Sequence, residues 1–453
     1  MHSTQLLMTE GSISGKMLRF AAPVFIGNLF QQLYNVADAL IVGNFVGNDA
    51  LAAVSATGNL SFLLISFFVG VSIGAGVVIS RYFGARDVER MRLAIHTAVA
   101  FNLVTSAMLT LAGTTLTPWL LRLMGTPEDV MELSVNYIRI IFAGSIGMVM
   151  YNSLCGIMRA VGDSRTPLYF LIVSSLLNVV LDLLLVAAFS MGVIGAALAT
   201  IVSQIISALL CAIRLMRSRE SHRLVLRELG FDREMLRLIV RYGLPTGMQN
   251  SVIAIANVVV QSYVNSFGTM AVAGCGAYSK IEGFAFLPIT SFQMALTTFV
   301  GQNLGAREHE RARRGARFGI LCSLIAAELI GVTIYLIAPH LLGAFTSEPE
   351  AIAFGVSRAK VCSVFFFLLA ASHCLSAVLR GAGKANIPML AMLIFWCVVR
   401  VSFLSVVMPY RHTIEVVNWV YPLTWFLSTV FLIVYYLRAD WLHSFDKEKA
   451  QAV

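Results

Sequence analysis

Asn178 and Asp182 stand four residues apart in a stretch, NVVLDLLL, that is otherwise apolar. Four residues is just over one helical turn, so a helix presents both on one face. Gln31, Asn35 and Asp38 repeat the arrangement at i, i+4 and i+7 with Tyr34 beside them, and Thr200 and Gln204 repeat it once more. Two carboxylates, an amide and a hydroxyl are hard oxygen groups that suit a small cation, and two carboxylates are also a pair of proton acceptors. Either occupancy can be coupled to conformation. The competing reading is that each aspartate pairs silently with a neighbouring amide or hydroxyl.

A second group of polar residues, Lys280, Glu282, Glu328 and Arg400 with Gln249, Asn250 and Asn257, lies in the C-terminal half. Lys280 and Glu282 are two apart and do not face each other on a helix, so their partners lie elsewhere. One reading is a cavity for cationic substrates, with Glu282 as its charge and Gln31, Gln249 and Asn257 as further polar lining. The other is a buried Glu to Arg pair. Enzyme motifs fail on spacing: Gly381 to Ala385 reads GAGKA, short of a phosphate-binding loop, and His309 to Arg313 reads HERAR, without the second histidine of a zinc site. No catalytic residue and no cofactor is expected, and with no nucleotide-binding domain the energy source is expected to be an ion gradient.

These residues matter because of what surrounds them. The 453 residues are 58% hydrophobic and only 13% charged, with a mean hydropathy of +0.80. Soluble domains carry charge at roughly 25% of positions, so the surplus apolar surface must face lipid. Twelve runs are long enough to cross a bilayer as helices, at about 20 residues each. The first lies near 18 to 43 and the last near 414 to 437; single spans are expected over 133 to 158, 166 to 189, 352 to 379 and 387 to 409. A charge inside such a span costs about 2.5 to 3.5 kcal/mol on insertion scales, which makes each one a functional candidate. Counted along their helices, Asp38, Asp182 and Thr200 share a depth of about 8 to 10 Å below the outer surface.

Most of the 33 Lys and Arg residues fall in loops on one side of the membrane, whereas the loops of the other side hold only Arg122 and Arg411. The positive-inside rule therefore places both termini in the cytoplasm. The net charge of +9 is a topological signal, and nucleic acid is not an expected partner. The first 17 residues lack the order of a cleaved signal peptide, so the first helix is expected to direct insertion into the cytoplasmic (inner) membrane. The seven cysteines all lie in apolar runs without C-x-x-C spacing and read as small buried residues, not disulfides or metal ligands. Gly70 and Gly74 have the spacing of a close helix contact.

The two halves repeat at a shift of 221 to 222 residues. Arg19 and Pro23 match Arg241 and Pro245; Gly84, Ala85 and Arg86 match Gly305, Ala306 and Arg307; Arg159, Gly162 and Pro167 match Arg380, Gly383 and Pro388. Six spans per copy give parallel repeats about an axis along the membrane normal, a transporter signature. The expected fold is an all-α polytopic membrane protein of two six-helix lobes: residues 1–213, a basic cytoplasmic linker over 214–237, and residues 238–453. Asp38 falls opposite Val259 or Val260 and Asp182 opposite Phe403. A carboxylate needed only for the fold would have appeared in both copies.

The chain resembles the multidrug and toxic compound extrusion (MATE) transporters, in particular their DinF-like branch. The resemblance covers nearly the whole length and rests on QQLYNVADALIVGNFVG (Gln31 to Gly47), the repeated GAR, RAVGDSRTP (Arg159 to Pro167) answered by RGAGKANIP (Arg380 to Pro388), and NVVLDLLL with GAALAT. It implies a multidrug efflux antiporter that exports small organic, often cationic compounds in exchange for H+ or Na+ by alternating access, with the lipid bilayer as its surroundings and the monomer as its functional unit. Carried over by position, the cation site, including the Na+ ligands if sodium is the coupling ion, is Asp38, Asn178, Asp182 and Thr200. Tyr34, Asn35, Tyr137 and Asn152 form the surrounding polar network. The carboxylate that another branch carries on helix seven has no match here. A flippase for lipid-linked sugars and an uncoupled channel or scaffold are the alternatives.

Overall fold

The computed structural model describes the backbone of residues 6–45, 48–123 and 128–446 and the side chains of 6–34, 66–119, 121–122 and 131–446. Fifteen α-helices follow one another with no strand among the described residues. They are α1 (Ile13–Phe45), α2 (Asn48–Gly84), α3 (Val88–Leu123), α4 (Glu128–Ala143), α5 (Ser145–Ala160), α6 (Arg165–Asp182), α7 (Gly192–Met216) and α8 (Arg233–Asn265). The remainder are α9 (Thr269–Gly305), α10 (His309–Gly343), α11 (Pro349–Cys362), α12 (Phe366–Gly381), α13 (Asn386–Ala391), α14 (Arg400–Val407) and α15 (Ile414–Arg438).

Among the described residues these helices make twelve rods, because three of the expected spans are each built from two helices. The span over 133 to 158 bends by 46° between α4 and α5, at Gly144. The span over 352 to 379 passes through a single 3-10 turn, Ser363–Phe365, between α11 and α12. The span over 387 to 409 runs from α13 to α14 through a π-helical stretch, Met392–Val399, and α6 likewise continues into π turns over Leu183–Ala188. Among the described residues nine helical segments are long and apolar enough to cross a membrane, ten with the bent pair. The chain is a multi-pass membrane protein. The rod α8 falls outside that set and carries Gln249, Asn250, Asn257 and Gln261.

The repeat is written into the backbone at the helix ends. Arg86 and Arg307, the last residues of the two GAR motifs, both adopt a left-handed conformation, at φ 56° and 62°. Each closes its helix with the same pair of bonds: Arg86 N–H to Phe83 O and Asp87 N–H to Tyr82 O, Arg307 N–H to Leu304 O and Glu308 N–H to Asn303 O. Gly162 and Gly383 do the same after α5 and α12 at φ 89° and 74°. This is the Schellman ending, which satisfies carbonyls that the last helical turn leaves open. Glycine enters the left-handed region freely, whereas arginine there costs about 1 to 2 kcal/mol.

The chain divides into two compact units, Met1–Leu7 with Ile26–Gly247 and Met8–Phe25 with Met248–Val453. The first unit has a core of Leu109, Leu121, Ile138, Phe142 and Val149. Within it α2 and the start of α8 touch backbone to backbone, so that a Cβ on Gly74 would lie 2.2 Å from Gly243 N and one on Gly70 2.3 Å from Gly247 N. The basic segment after α7 has only one 3-10 turn, Leu226–Glu228, and packs on α3. His96 Nε2 accepts from Val225 N–H at 3.0 Å and Thr97 Oγ1 from Asp232 N–H at 3.1 Å. His222 is buried in this segment, and burial, with Arg214 assisting and Asp163 opposing, pushes its imidazole down to about 4.

The second unit is built round Tyr278, Phe366, Trp396 and Trp425. Its α10 kinks at Ile337 (φ −112°, ψ 16°), two residues before Pro339. The lead-in to α1 is held here: Met8 N–H donates to Gln302 Oε1 at 2.9 Å, and Arg311 donates to the carbonyls of Met8, Glu10 and Gly11 at 2.8 to 3.0 Å.

Candidate functional site

In the first unit the end of α6 meets α7. Asn178 and Asp182 are one turn apart on α6, exposed by 1% and 0%, and Asp182 is the last α-helical residue before the π turns. An amide orientation is assigned from its neighbours; with both polar atoms of Asn178 satisfied, Nδ2 donates to Asp182 Oδ2 at 2.8 Å and Oδ1 accepts from Thr200 N–H at 3.2 Å. The amide thus ties the carboxylate of α6 to the backbone of α7. The Thr200 hydroxyl donates to Ala196 O at 3.1 Å, which leaves its oxygen lone pairs as acceptors. Asn178 thus bonds both Asp182 and the backbone of Thr200, which brings three of the four candidate residues together.

The fourth, Asp38, and its neighbour Asn35 lie outside the residues whose side chains are described. Tyr137 packs with Leu133 against Val186, Val193 and Ala196, the apolar residues flanking the junction of α6 and α7. Asn152 donates to Met148 O at 2.9 Å and lines a separate narrow cleft with Phe68, Ser72 and Met148. Gln31 and Tyr34 are half-buried on α1.

The polar residues of the second unit sort differently. Gln249 Oε1 accepts from Arg380 Nη1 at 3.3 Å in a buried pair. Arg400 is fully buried; its Nη2 donates to Thr424 Oγ1 at 2.8 Å and its Nη1 to Asn257 Oδ1 at 3.4 Å. The ring of Tyr421 lies 4.6 Å from the guanidinium carbons of both Arg400 and Arg358. Glu282 is half-buried and lies in the field of both arginines. Glu328 takes a structural part, accepting from Phe367 N–H at 3.0 Å at the start of α12. The arginine and tyrosine stack was not anticipated from sequence, because its members come from separate helices; the only signal was the cost of a cation in an apolar run.

The sequence pattern of the MatE family matches residues 23–184 and matches again over 245–406. The chain belongs to the MatE family. The match falls once on each half and ends before the last span of each, Gly192–Met216 and Ile414–Arg438, so the family pattern follows the repeat. The chain is 30% identical over 439 residues to a protein of Bacillus subtilis named probable multidrug resistance protein YoeA, with 94% of each covered. It is 27% identical over 386 residues to the probable multidrug resistance protein NorM of Thermotoga maritima, covering 83% of this chain and 82% of that one. Among solved structures, that of MATE in complex with MaL6 superposes with a TM-score of 0.88 at 26% identity, over 96% of this chain and 97% of that one. A MOP superfamily transporter from Pyrococcus furiosus gives the same values. The MatE architecture of two lobes is thus the architecture of this chain.

Proposed function

We propose that this MatE protein is a multidrug efflux antiporter of the inner membrane, with both termini in the cytoplasm, that exports organic, often cationic compounds in exchange for H+ or Na+. The observation that carries the reading is the carboxylate of Asp182, wholly buried and bonded to an amide that also grips α7. A buried carboxylate is tolerated when a proton or a cation accompanies it. When Na+ enters, Asp182 and the Thr200 hydroxyl supply oxygens and Asn178 turns its carbonyl inward, releasing Thr200 N–H. When H+ enters, Asp182 takes the proton and its charge is neutralised, with Asp38 as the second expected acceptor. Each occupancy changes how α6 is held against α7, next to π turns that can re-wind.

Export then follows from linkage: ion and drug weaken each other's binding by the same factor. An inward-moving cation gains about 2.3 kcal/mol per charge for each 100 mV of membrane potential. Expression of the protein in a drug-sensitive host tests the reading. Wild type raises resistance to ethidium, and Asp38→Asn and Asp182→Asn reach the membrane in equal amount but leave the host sensitive. Resistance retained by both variants rejects the role given to these carboxylates.

A further inference from the structure

The second copy lacks the carboxylates that the first holds on its first and fifth spans. The residue correspondence there is set by the register of the repeat. Gly84 and Gly305, Arg159 and Arg380, and Pro167 and Pro388 are offset by 221. The two family matches, 23–184 and 245–406, begin and end with an offset of 222, as do the helices Gly192–Met216 and Ile414–Arg438, each of 25 residues. The second copy therefore gains one residue between Pro388 and the end of its family match. The π-helical stretch Met392–Val399 lies in that interval, and a π turn is the form a helix takes when it absorbs one extra residue.

With that residue absorbed, Arg400 corresponds to Asn178. Asn257, whose Oδ1 accepts from Arg400, corresponds to Asn35 at the same offset, Val260 stands for Asp38, and Leu404 stands for Asp182 in place of the Phe403 that an offset of 221 gave. The second copy has thus exchanged two carboxylates for apolar residues and one amide for a guanidinium. That guanidinium has no exposed surface. It is fixed by Thr424 and Asn257, lies over the rings of Trp396 at 5.1 Å and Tyr421 at 4.6 Å, and its buried Nε meets no acceptor among the described residues. Burying such a group costs several kcal/mol, and an apolar residue of like volume would often be more stable. Stability alone therefore gives no reason for a cation here.

We propose that Arg400 is a tethered cation. It holds in the second lobe the position that the coupling ion visits in the first, so that this lobe stays in its cation-loaded form and a single site per molecule is switched in each cycle. The proposal rests on the coupling reading of the first lobe given above, and Arg400 is a positioning residue in it.

The test uses full-length protein and two readouts, ethidium efflux from proteoliposomes and the thermal unfolding midpoint in detergent. Arg400→Met is expected to unfold at or above the wild-type temperature yet to lose export by about tenfold, within the range of coupling between linked sites. Arg400→Lys keeps the charge but not the planar fork that stacks on the rings, and is expected to export at a rate between those of Arg400→Met and wild type. Arg400→Ala leaves a vacated cation position, so millimolar guanidinium chloride should raise its unfolding temperature, with choline chloride as the salt control and wild type unaffected. The proposal is overturned if Arg400→Met exports like wild type, if Arg400→Lys is as inactive as Arg400→Met, or if folded Arg400→Ala gains nothing from guanidinium. Should Asp38→Asn and Asp182→Asn retain export, the first-lobe reading fails by itself, while the guanidinium shift still decides whether a cation position exists at Arg400.

Discussion

At the scale of single residues, Asp182 is defined by what it cannot do: with no exposed surface it cannot share its charge with water. Its amide neighbour then decides the energetics. Replacing Asn178 with Leu removes the bond to Asp182 Oδ2 and the bond from Thr200 N–H together, and a buried carboxylate that loses one of its donors costs about 1 to 3 kcal/mol. The expected result is a lower unfolding midpoint that acid or added Na+ partly restores, read by thermal unfolding in detergent. His222 gives a second residue-scale expectation. Its imidazole is held down to about 4, against about 6.5 for a free histidine, so the folded state prefers it neutral. The stability this provides is complete above pH 6.5 and is lost as the pH falls toward 4, up to about 3 kcal/mol across the window. Exchange of backbone amides over 217–232 should therefore quicken between those pH values in wild type and lose that pH dependence in His222→Gln. Asn178, Asp182 and Thr200 were legible in the sequence because i, i+4 spacing in an apolar run leaves few ways to hide a polar face. The partners of Arg400 were not, since Asn257 and Thr424 come from other helices and helical periodicity carries no information about them.

At the scale of elements, the contact of α2 with the start of α8 makes a strict demand on sequence. No side chain fits where Gly70 and Gly74 meet Gly247 and Gly243. Gly74→Ala is expected to force the two helices apart and lower stability by about 1 to 3 kcal/mol. Gly276→Ala, on an exposed position of α9 where an added Cβ meets nothing, should be neutral or stabilising by up to about 1 kcal/mol. Comparing the unfolding midpoints of the two variants separates steric demand from helix propensity. The sequence already carried the Gly70 to Gly74 spacing as a packing stripe, but it could not name the partner stripe on α8. The breaks inside spans were less legible still. Gly144 and Ser363–Phe365 sit in unbroken apolar runs, because hydropathy reports burial in lipid and says nothing about the path of the helix axis. The π turns left one trace, the change of repeat offset from 221 to 222 before α15. By contrast, α1, α8 and α9 continue through Pro23, Pro245 and Pro288 as single helices.

At the scale of the whole molecule, the repeat is both the most legible feature and the one that gives the chemistry its meaning. Matching motifs in the two halves foretold matching helix ends, and the left-handed Arg86 and Arg307 and the glycines Gly162 and Gly383 supply them. The boundaries of the compact units were not legible, because they fall inside continuous helices: Phe25 and Gly247, the last residues before each boundary, are themselves 222 apart. The first half of α1 thus packs with the second copy and the first half of α8 with the first. What the copies do not share is the pair of carboxylates, and the central claim is that these alone couple an ion to export. Ethidium efflux from proteoliposomes, with pH and Na+ gradients imposed separately, tests it most directly when wild type is compared with the Asp38→Asn, Asp182→Asn double variant. The account predicts that at least one gradient drives efflux by wild type and that neither drives it through the double variant. Gradient-driven efflux by the double variant at the wild-type rate would contradict it.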